Sequence, residues 1–309
     1  MPNSIVVLGS LNMDFVVTVE RLPMPGETIF GRGFRTIPGG KGANQAYAAA
    51  KLARDGSAVR MLGRVGADSF GAALKANLKD AGVDVLAVLE TELEATGVAL
   101  IHVDEAGQNS ITVAPGANAV LSPRDIGHLD DARCVLLQLE VPLETVAEGL
   151  RKARQHAAIG ILDPAPAREL GNEILALVDI VTPNETEACM LAGVTPGRLD
   201  PAAAAAIGRR ILERGAGAVL VKLGDRGCVY CGSSGTIVVP AVPVQAVDST
   251  AAGDTFNAAL AVALVEGLAI EDALRFANAA AAISVTRPGA QTSAPARAEV
   301  DSLLALNRA

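Results

Sequence analysis

Short runs of β-branched and other apolar residues recur along the chain at Ile5–Leu8, Val135–Leu139, Ile159–Leu162, Ile180–Thr182 and Val219–Leu223, mostly with Ala-rich segments between them. This alternation constrains the fold more than any other feature, because strands joined by helical crossovers run parallel and are covered on both faces. The segments Ala43–Ala53, Ser69–Ala81, Leu143–His156, Glu185–Ala192, Pro201–Arg214, Thr255–Glu266 and Ile270–Thr286 carry small apolar residues at three- and four-residue spacing. That is the period of a helix with one buried face. The pattern predicts a doubly wound α/β fold, a mostly parallel sheet flanked by helices.

Two stretches break the alternation. Phe15–Thr36 and Thr96–Val113 show short alternating segments punctuated by Pro23, Pro25, Gly26, Gly107 and Gln108–Asn109, the marks of hairpins. They predict a small antiparallel sheet, either a β lid over the ligand crevice or plain surface hairpins. The α/β frame then comprises residues 1–14, 37–95 and 114–309, with the lid at 15–36 and 96–113. A chain of 309 residues has room for this, and with 50% hydrophobic residues, few of them aromatic, it buries an aliphatic core and is not a disordered chain.

Several functional classes fall away. The 26 basic residues are outnumbered by 34 acidic ones and form no stripe, which argues against nucleic-acid binding. The four cysteines do not make a disulfide framework, the start Met1-Pro2-Asn3-Ser4 has no basic leader, and a reducing cytoplasm is the expected compartment. Gly227–Val247 is long and uncharged, but its serines, prolines and glycines predict strands and turns, not a membrane span. Gly9-Ser10-Leu11-Asn12-Met13-Asp14 lacks the dinucleotide fingerprint, and Gly40-Lys41-Gly42 lacks the Ser or Thr that ends a P-loop. Cys228 and Cys231 have no second pair and, on a strand, would face opposite sides. His102, His128 and His156 share no motif with a nucleophile.

Three segments carry chemistry. Gly39-Gly40-Lys41-Gly42-Ala43-Asn44-Gln45 places glycines and a cation before a helix, either bringing backbone amides against a polar ligand or making a tight strand-to-helix turn. In Asp248-Ser249-Thr250-Ala251-Ala252-Gly253-Asp254-Thr255-Phe256, stacked amides of Ala251, Ala252, Gly253 and Asp254 would form an anion hole for a phosphoryl group, with Asp254 beside it. A capping role for Asp254 alone leaves that run of small residues unexplained. Asn184 and Glu187 share one face of a first helical turn, which suits either oxygen ligation of Mg²⁺ or a capping arrangement.

Together these ordered segments resemble the ribokinase-like carbohydrate kinase family, nearly end to end, from Val6-Val7-Leu8-Gly9-Ser10 to Val285-Thr286-Arg287-Pro288-Gly289-Ala290-Gln291. The resemblance implies transfer of the ATP γ-phosphoryl group to the 5-hydroxyl of D-ribose, with Asp254 as catalytic base. It places Asn12, Asp14, Gly40, Lys41, Asn44 and Glu140 around the sugar. It places Asn184, Lys222, Gly224, Asp225, Arg226, Gly227, Gly253 and Asn278 around ATP, with Glu187 governing Mg²⁺. Asp248, Thr250, Ser284, Arg287, Gly289 and Ser293 match the positions around an activating K⁺, and the lid matches one that pairs two subunits into a homodimer. Lys222 stands where the family often has Thr, and Asn278 where some members have His. Kinases of deoxyribose, fructose, adenosine or a keto-deoxy sugar acid are the nearest alternatives. A catalytically silent sugar-binding protein on the same scaffold is a more distant one.

Overall fold

The computed structural model describes residues 4–306; the Met1–Asn3 start and the last three residues lie outside them. In chain order the elements are β1 (Ser4–Leu8), β2 (Asn12–Val19), β3 (Gly31–Gly39), α1 (Lys41–Leu52), β4 (Ala58–Gly66), α2 (Ser69–Asp80), β5 (Val88–Thr91), β6 (Gly97–Val103) and β7 (Asn109–Ala114). There follow β8 (Ala132–Leu137), α3 (Leu143–Gln155), β9 (Ile159–Leu162), α4 (Asn172–Leu175), β10 (Ile180–Val181), α5 (Glu185–Leu191), α6 (Pro201–Leu212) and β11 (Ala218–Lys222). The chain closes with β12 (Cys228–Gly232), β13 (Gly235–Val239), α7 (Ala252–Val265), α8 (Ile270–Ser284) and α9 (Arg297–Leu306).

Nine strands form the main sheet in the order β13-β12-β11-β10-β9-β8-β1-β4-β5. It is parallel from β5 to β11 and ends in the antiparallel strands β12 and β13. Every residue of β1 is buried, as expected of a central strand covered on both faces. Ile5 and Val7 belong to the core layer that also holds buried residues of α1, α2, α7 and α8, while Val6 and Leu8 belong to the one that holds those of α3 and α6, so the two-residue strand period divides the core into two layers. Cys228 and Cys231 fall in opposite layers, as their spacing predicts. Helix α7 is buried almost all round, and its sequence is correspondingly apolar except near its start.

The second sheet has the order β3-β2-β6-β7. It is not wholly antiparallel as expected: β2 and β6 run parallel, with antiparallel partners on either side. Local alternation marks strands but carries no information on which distant strand each one pairs with. Its strands also reach further than 15–36, since β2 starts at Asn12 and β3 ends at Gly39. The ladder from Asn12↔Gly39 to Val19↔Gly31 joins the small sheet to the crevice at the head of the main one.

Candidate active site

Helix α1 opens on Gly40, whose φ of 88° suits only glycine. A Cβ on Gly42 would lie 2.7 Å from the Gly9 carbonyl carbon and the Ser10 nitrogen, so α1 rests directly on the turn after β1. Lys41 N–H donates to Glu140 Oε2 at 3.1 Å, Gly42 N–H to Ser10 Oγ at 3.3 Å and Ala43 N–H to the Ser10 carbonyl at 2.9 Å. These amides are therefore taken internally and are not the open cradle for a ligand that the glycines suggested. What α1 brings to the centre is side chains.

Helix α7 begins from Ala251, a non-glycine residue in the left-handed region with φ 57°, a conformation costing about 1–2 kcal/mol. Ala252 N–H donates to Ser249 O at 3.2 Å, and Thr255 N–H closes onto Ala251 O at 2.9 Å. The Gly253 and Asp254 amides between them belong to the first turn, where N–H groups have no partner within the helix. Asp254 is 6% exposed. Its Oδ2 accepts from Asn44 Nδ2 at 3.0 Å and its Oδ1 from Gln45 Nε2 at 3.1 Å. Burial pushes its carboxyl up to about 6, with Lys41 opposing and Asp163 adding to the rise. It is thus ionised at neutral pH, yet more basic than an ordinary Asp.

Asp14 is raised to about 7, first by burial and then by Glu140 and Asp254, against the pull of Lys41. Burial favours the neutral form of Lys41, but the fields of Asp254, Glu140, Asp163 and Glu187 outweigh it and hold the ammonium above its usual range. A Cβ on Gly39 would meet Asp14 Oδ2 at 2.2 Å, so glycine there leaves room for the carboxylate. Asn12 Oδ1 accepts from Asn118 Nδ2 at 2.8 Å, and Asn118 Oδ1 in turn accepts from Leu11 N–H at 2.9 Å.

Asp254, Lys41, Asn184, Glu187, Lys222 and Gly253 face one polar crevice of about 510 Å³. Beside it lies a more apolar slot of about 410 Å³ walled by Val242, Val244, Phe256 and Val285, with Gly224, Asp225, Gly227 and Asn278 also on its lining. Lys222, Gly224 and Gly253 border both spaces. Arg226 is not brought to the slot: its guanidinium donates to Glu185 at 2.7 Å and to the Leu199 carbonyl at 2.8 Å.

Asn184 caps α5 through the full reciprocal box, with Glu187 N–H donating to Asn184 Oδ1 at 2.9 Å and Asn184 N–H to Glu187 Oε2 at 2.8 Å. The pair is thus a capping arrangement, and the capping carboxylate also lines the crevice. Burial pushes Glu187 up, with Lys222 opposing. Among the described residues no group of three or more His, Cys, Asp and Glu converges as a metal cage. A hard carboxylate beside a phosphate-sized crevice instead fits a Mg²⁺ that keeps water and phosphate oxygens as its other ligands. Asp248 Oδ1 accepts from Thr250 N–H at 2.9 Å and Oδ2 from Gly289 N–H at 2.8 Å, tying the two loops together. Ser284 O accepts from Arg287 N–H at 3.2 Å, while the Ser293 hydroxyl donates to Ala290 O at 2.7 Å. Asp248 thereby joins the Thr250 turn ahead of α7 to the Gly289 loop after α8.

The residues given no role on the sequence alone are Gln45, which closes the first motif, Gln138, Asn118 and Asp163. Asp163 had one signal available, an acid just past the carboxyl end of a parallel strand, where ligands of open α/β sheets gather.

A raised carboxylate at a helix start, opening on a polar crevice and an adjoining apolar slot, is the layout of an enzyme that phosphorylates an alcohol from a nucleotide. The chain belongs to the pfkB family of carbohydrate kinases, whose description residues 2–297 match. It is similar to the ribokinase of Bacillus subtilis (strain 168), at 43% identity over 305 residues, 97% of this chain and 99% of the relative. The deoxyribokinase of Salmonella typhimurium is 37% identical over 308 residues, 98% of this chain and 99% of that one. Among solved structures, Arabidopsis thaliana ribokinase complexed with ribose and ATP has a TM-score of 0.89 at 37% identity, covering 98% of this chain and 99% of the other.

Proposed function

We propose that the protein transfers the γ-phosphoryl group of ATP to O5 of D-ribose, giving D-ribose 5-phosphate and ADP. The observation that carries this is the setting of Asp254: buried, raised to about 6, held at both oxygens, and facing the polar crevice one residue after Gly253, which borders crevice and slot alike. ATP lays its base in the slot and its phosphates along Lys222, Gly224 and Gly253. The sugar lies against Asn12, Asp14, Gly40, Lys41, Asn44 and Glu140. Asp254 accepts the hydroxyl proton as the oxygen–phosphorus bond forms, and the Gly253 amide with Lys41 meets the negative charge that develops. Positioning and electrostatics supply most of the acceleration, because a carboxylate is a weak base for an alcohol.

Glu187 and Asn184 would hold Mg²⁺ with the nucleotide, and the metal when bound neutralises phosphate charge. Asp248, Thr250, Ser284, Arg287, Gly289 and Ser293 would hold K⁺, which when bound rigidifies the loop ahead of α7. Equal rates in K⁺-free and K⁺ buffers would remove that assignment. The small sheet serves as a lid and as the dimer contact. Its exposed Phe30, Phe34, Leu100, Ile111 and Val113 support this, and sedimentation as a monomer at all concentrations would refute it.

A coupled ADP assay over ribose, deoxyribose, fructose, adenosine and a keto-deoxy sugar acid tests the whole reading. Ribose is expected to give the highest kcat/KM; a higher value for another acceptor would reassign the substrate. Deoxyribose is the main competitor in view of the Salmonella relative.

A further inference from the structure

Asp163, just past the end of β9, is 3% exposed, and its two oxygens serve different parts of the crevice. Oδ1 accepts from Lys222 Nζ at 3.0 Å, in an ion pair whose side chains are 4% and 13% exposed. Oδ2 accepts from Gln45 Nε2 at 3.3 Å, the same nitrogen that donates to Asp254 Oδ1 at 3.1 Å. The Gln45 amide is oriented from its other end, where Oε1 accepts from Gln138 Nε2 at 2.6 Å, so Nε2 faces the two carboxylates. Lys222 Nζ lies 3.4 Å from where a Cβ on Gly253 would sit, beside the first turn of α7.

A lysine ammonium on its four-carbon stem has many rotamers, and one anchored by a buried carboxylate has few. We propose that Asp163 is a positioning residue that couples the two ends of the reaction: it holds the Lys222 ammonium beside the first turn of α7 to meet the transferring phosphoryl group, and through Gln45 it fixes the Asp254 carboxylate toward the acceptor hydroxyl. The inference rests on the kinase reading above and adds to it a residue with no part in the motifs. It also explains how an acid is tolerated where phosphates bind, since Lys222 cancels its charge.

The test is kinetic. Asp163→Asn keeps the volume and removes the charge; kcat is expected to fall about 10²-fold, the scale of losing one preorganised charge contact, while the KM for ribose stays within about twofold. The acid limb of kcat/KM should move to lower pH, because the negative charge on Asp163 is one of the groups pushing Asp254 up. Lys222→Met should lose a similar factor in kcat, and the double variant should be no worse than the poorer single, the mark of residues acting as a unit. Wild-type turnover in Asp163→Asn, an unmoved acid limb, or losses that multiply in the double variant would each overturn the inference. Should Asp163→Asn fail to fold, Lys222→Met and Gln45→Leu carry the test: each is expected to lose at least about tenfold in kcat, and full turnover in either overturns the coupling. A wild-type protein that makes no ADP from ATP and any sugar overturns the kinase reading and this inference with it, whereas an active wild type with unaffected variants overturns only the latter.

Discussion

Replacing Asp254 with Asn should make the protein a far poorer catalyst and a more stable fold at neutral pH. A carboxyl that ionises near 6 in the fold, against an ordinary 3.8, costs the folded state about 3 kcal/mol at pH 7. The sign follows from the raised value: the folded chain binds this proton more tightly than the unfolded one. The penalty is therefore full above about 6, shrinks between about 6 and 3.8, and is absent below. Asparagine removes it. Asn44 Nδ2 and Gln45 Nε2 both donate to the present carboxylate, so one of them will face an amide NH₂, returning about 1–2 kcal/mol. The net gain is about 1–2 kcal/mol, or roughly 1.5–3 °C in Tm for a chain of 309 residues, while turnover drops by about 10²–10⁴-fold with loss of the base. Scanning calorimetry at pH 7 and pH 4, beside the coupled ADP assay, reads both effects, and the gain should fade at the lower pH. Near-normal turnover, or a Tm that falls at pH 7, would refute the reasoning.

Three further outcomes follow from the same geometry. The kcat/KM profile should begin to fall below about pH 7, as Asp14 becomes neutral and the KM for ribose rises, and should fall more steeply below about pH 6 as Asp254 takes a proton; initial rates across pH 5–9 check both. Gly42→Ala should destabilise by about 1–3 kcal/mol, since its methyl meets backbone that cannot yield, whereas Gly253→Ala should melt no lower than wild type yet lose turnover, its methyl lying beside Lys222 over the first turn of α7. Melting curves with ATP kinetics separate the two. Asn118→Ala leaves Leu11 N–H and Asn12 without their partner, which should cost about 1–3 kcal/mol and weaken ribose binding more than kcat, as denaturant melts and a KM series will read.

Wherever a residue acts through its chain neighbours, the sequence alone was informative. The apolar run Ile5–Leu8 lies in β1, the Ala-rich segments lie in their helices within a few residues, and Asp254 stands at the helix start its small neighbours announced. Strand β4 was missed because Arg60, Gly63 and Arg64 interrupt its apolar run. The arginines are admitted by pairing with Asp131 and Asp125, partners that no local pattern reveals. Helix α9 buries only Val300 fully and so shows no strong apolar face. The site divides in the same way. Asn44 and Asp254 sit in compact motifs, but Asp163 meets Lys222 across 59 positions and Asn118 meets Asn12 across 106. Such residues look like ordinary polar residues until the sheet brings their partners to them.

The carboxylates gathered about Lys41 would govern departure as well as arrival. In the proposed arrangement an uncharged pentose offers hydroxyl hydrogens to Asp14, Glu140 and Asp254, groups whose mutual repulsion is already felt, after burial, in the raised carboxyl of Asp14. Once phosphorylated, the same molecule is a dianion among them, and two like charges about 6 Å apart at an effective dielectric near 20 repel by about 3 kcal/mol. On that arrangement the chemistry would convert a guest the pocket holds into one it expels, and turnover would gain a recoil that needs no moving part.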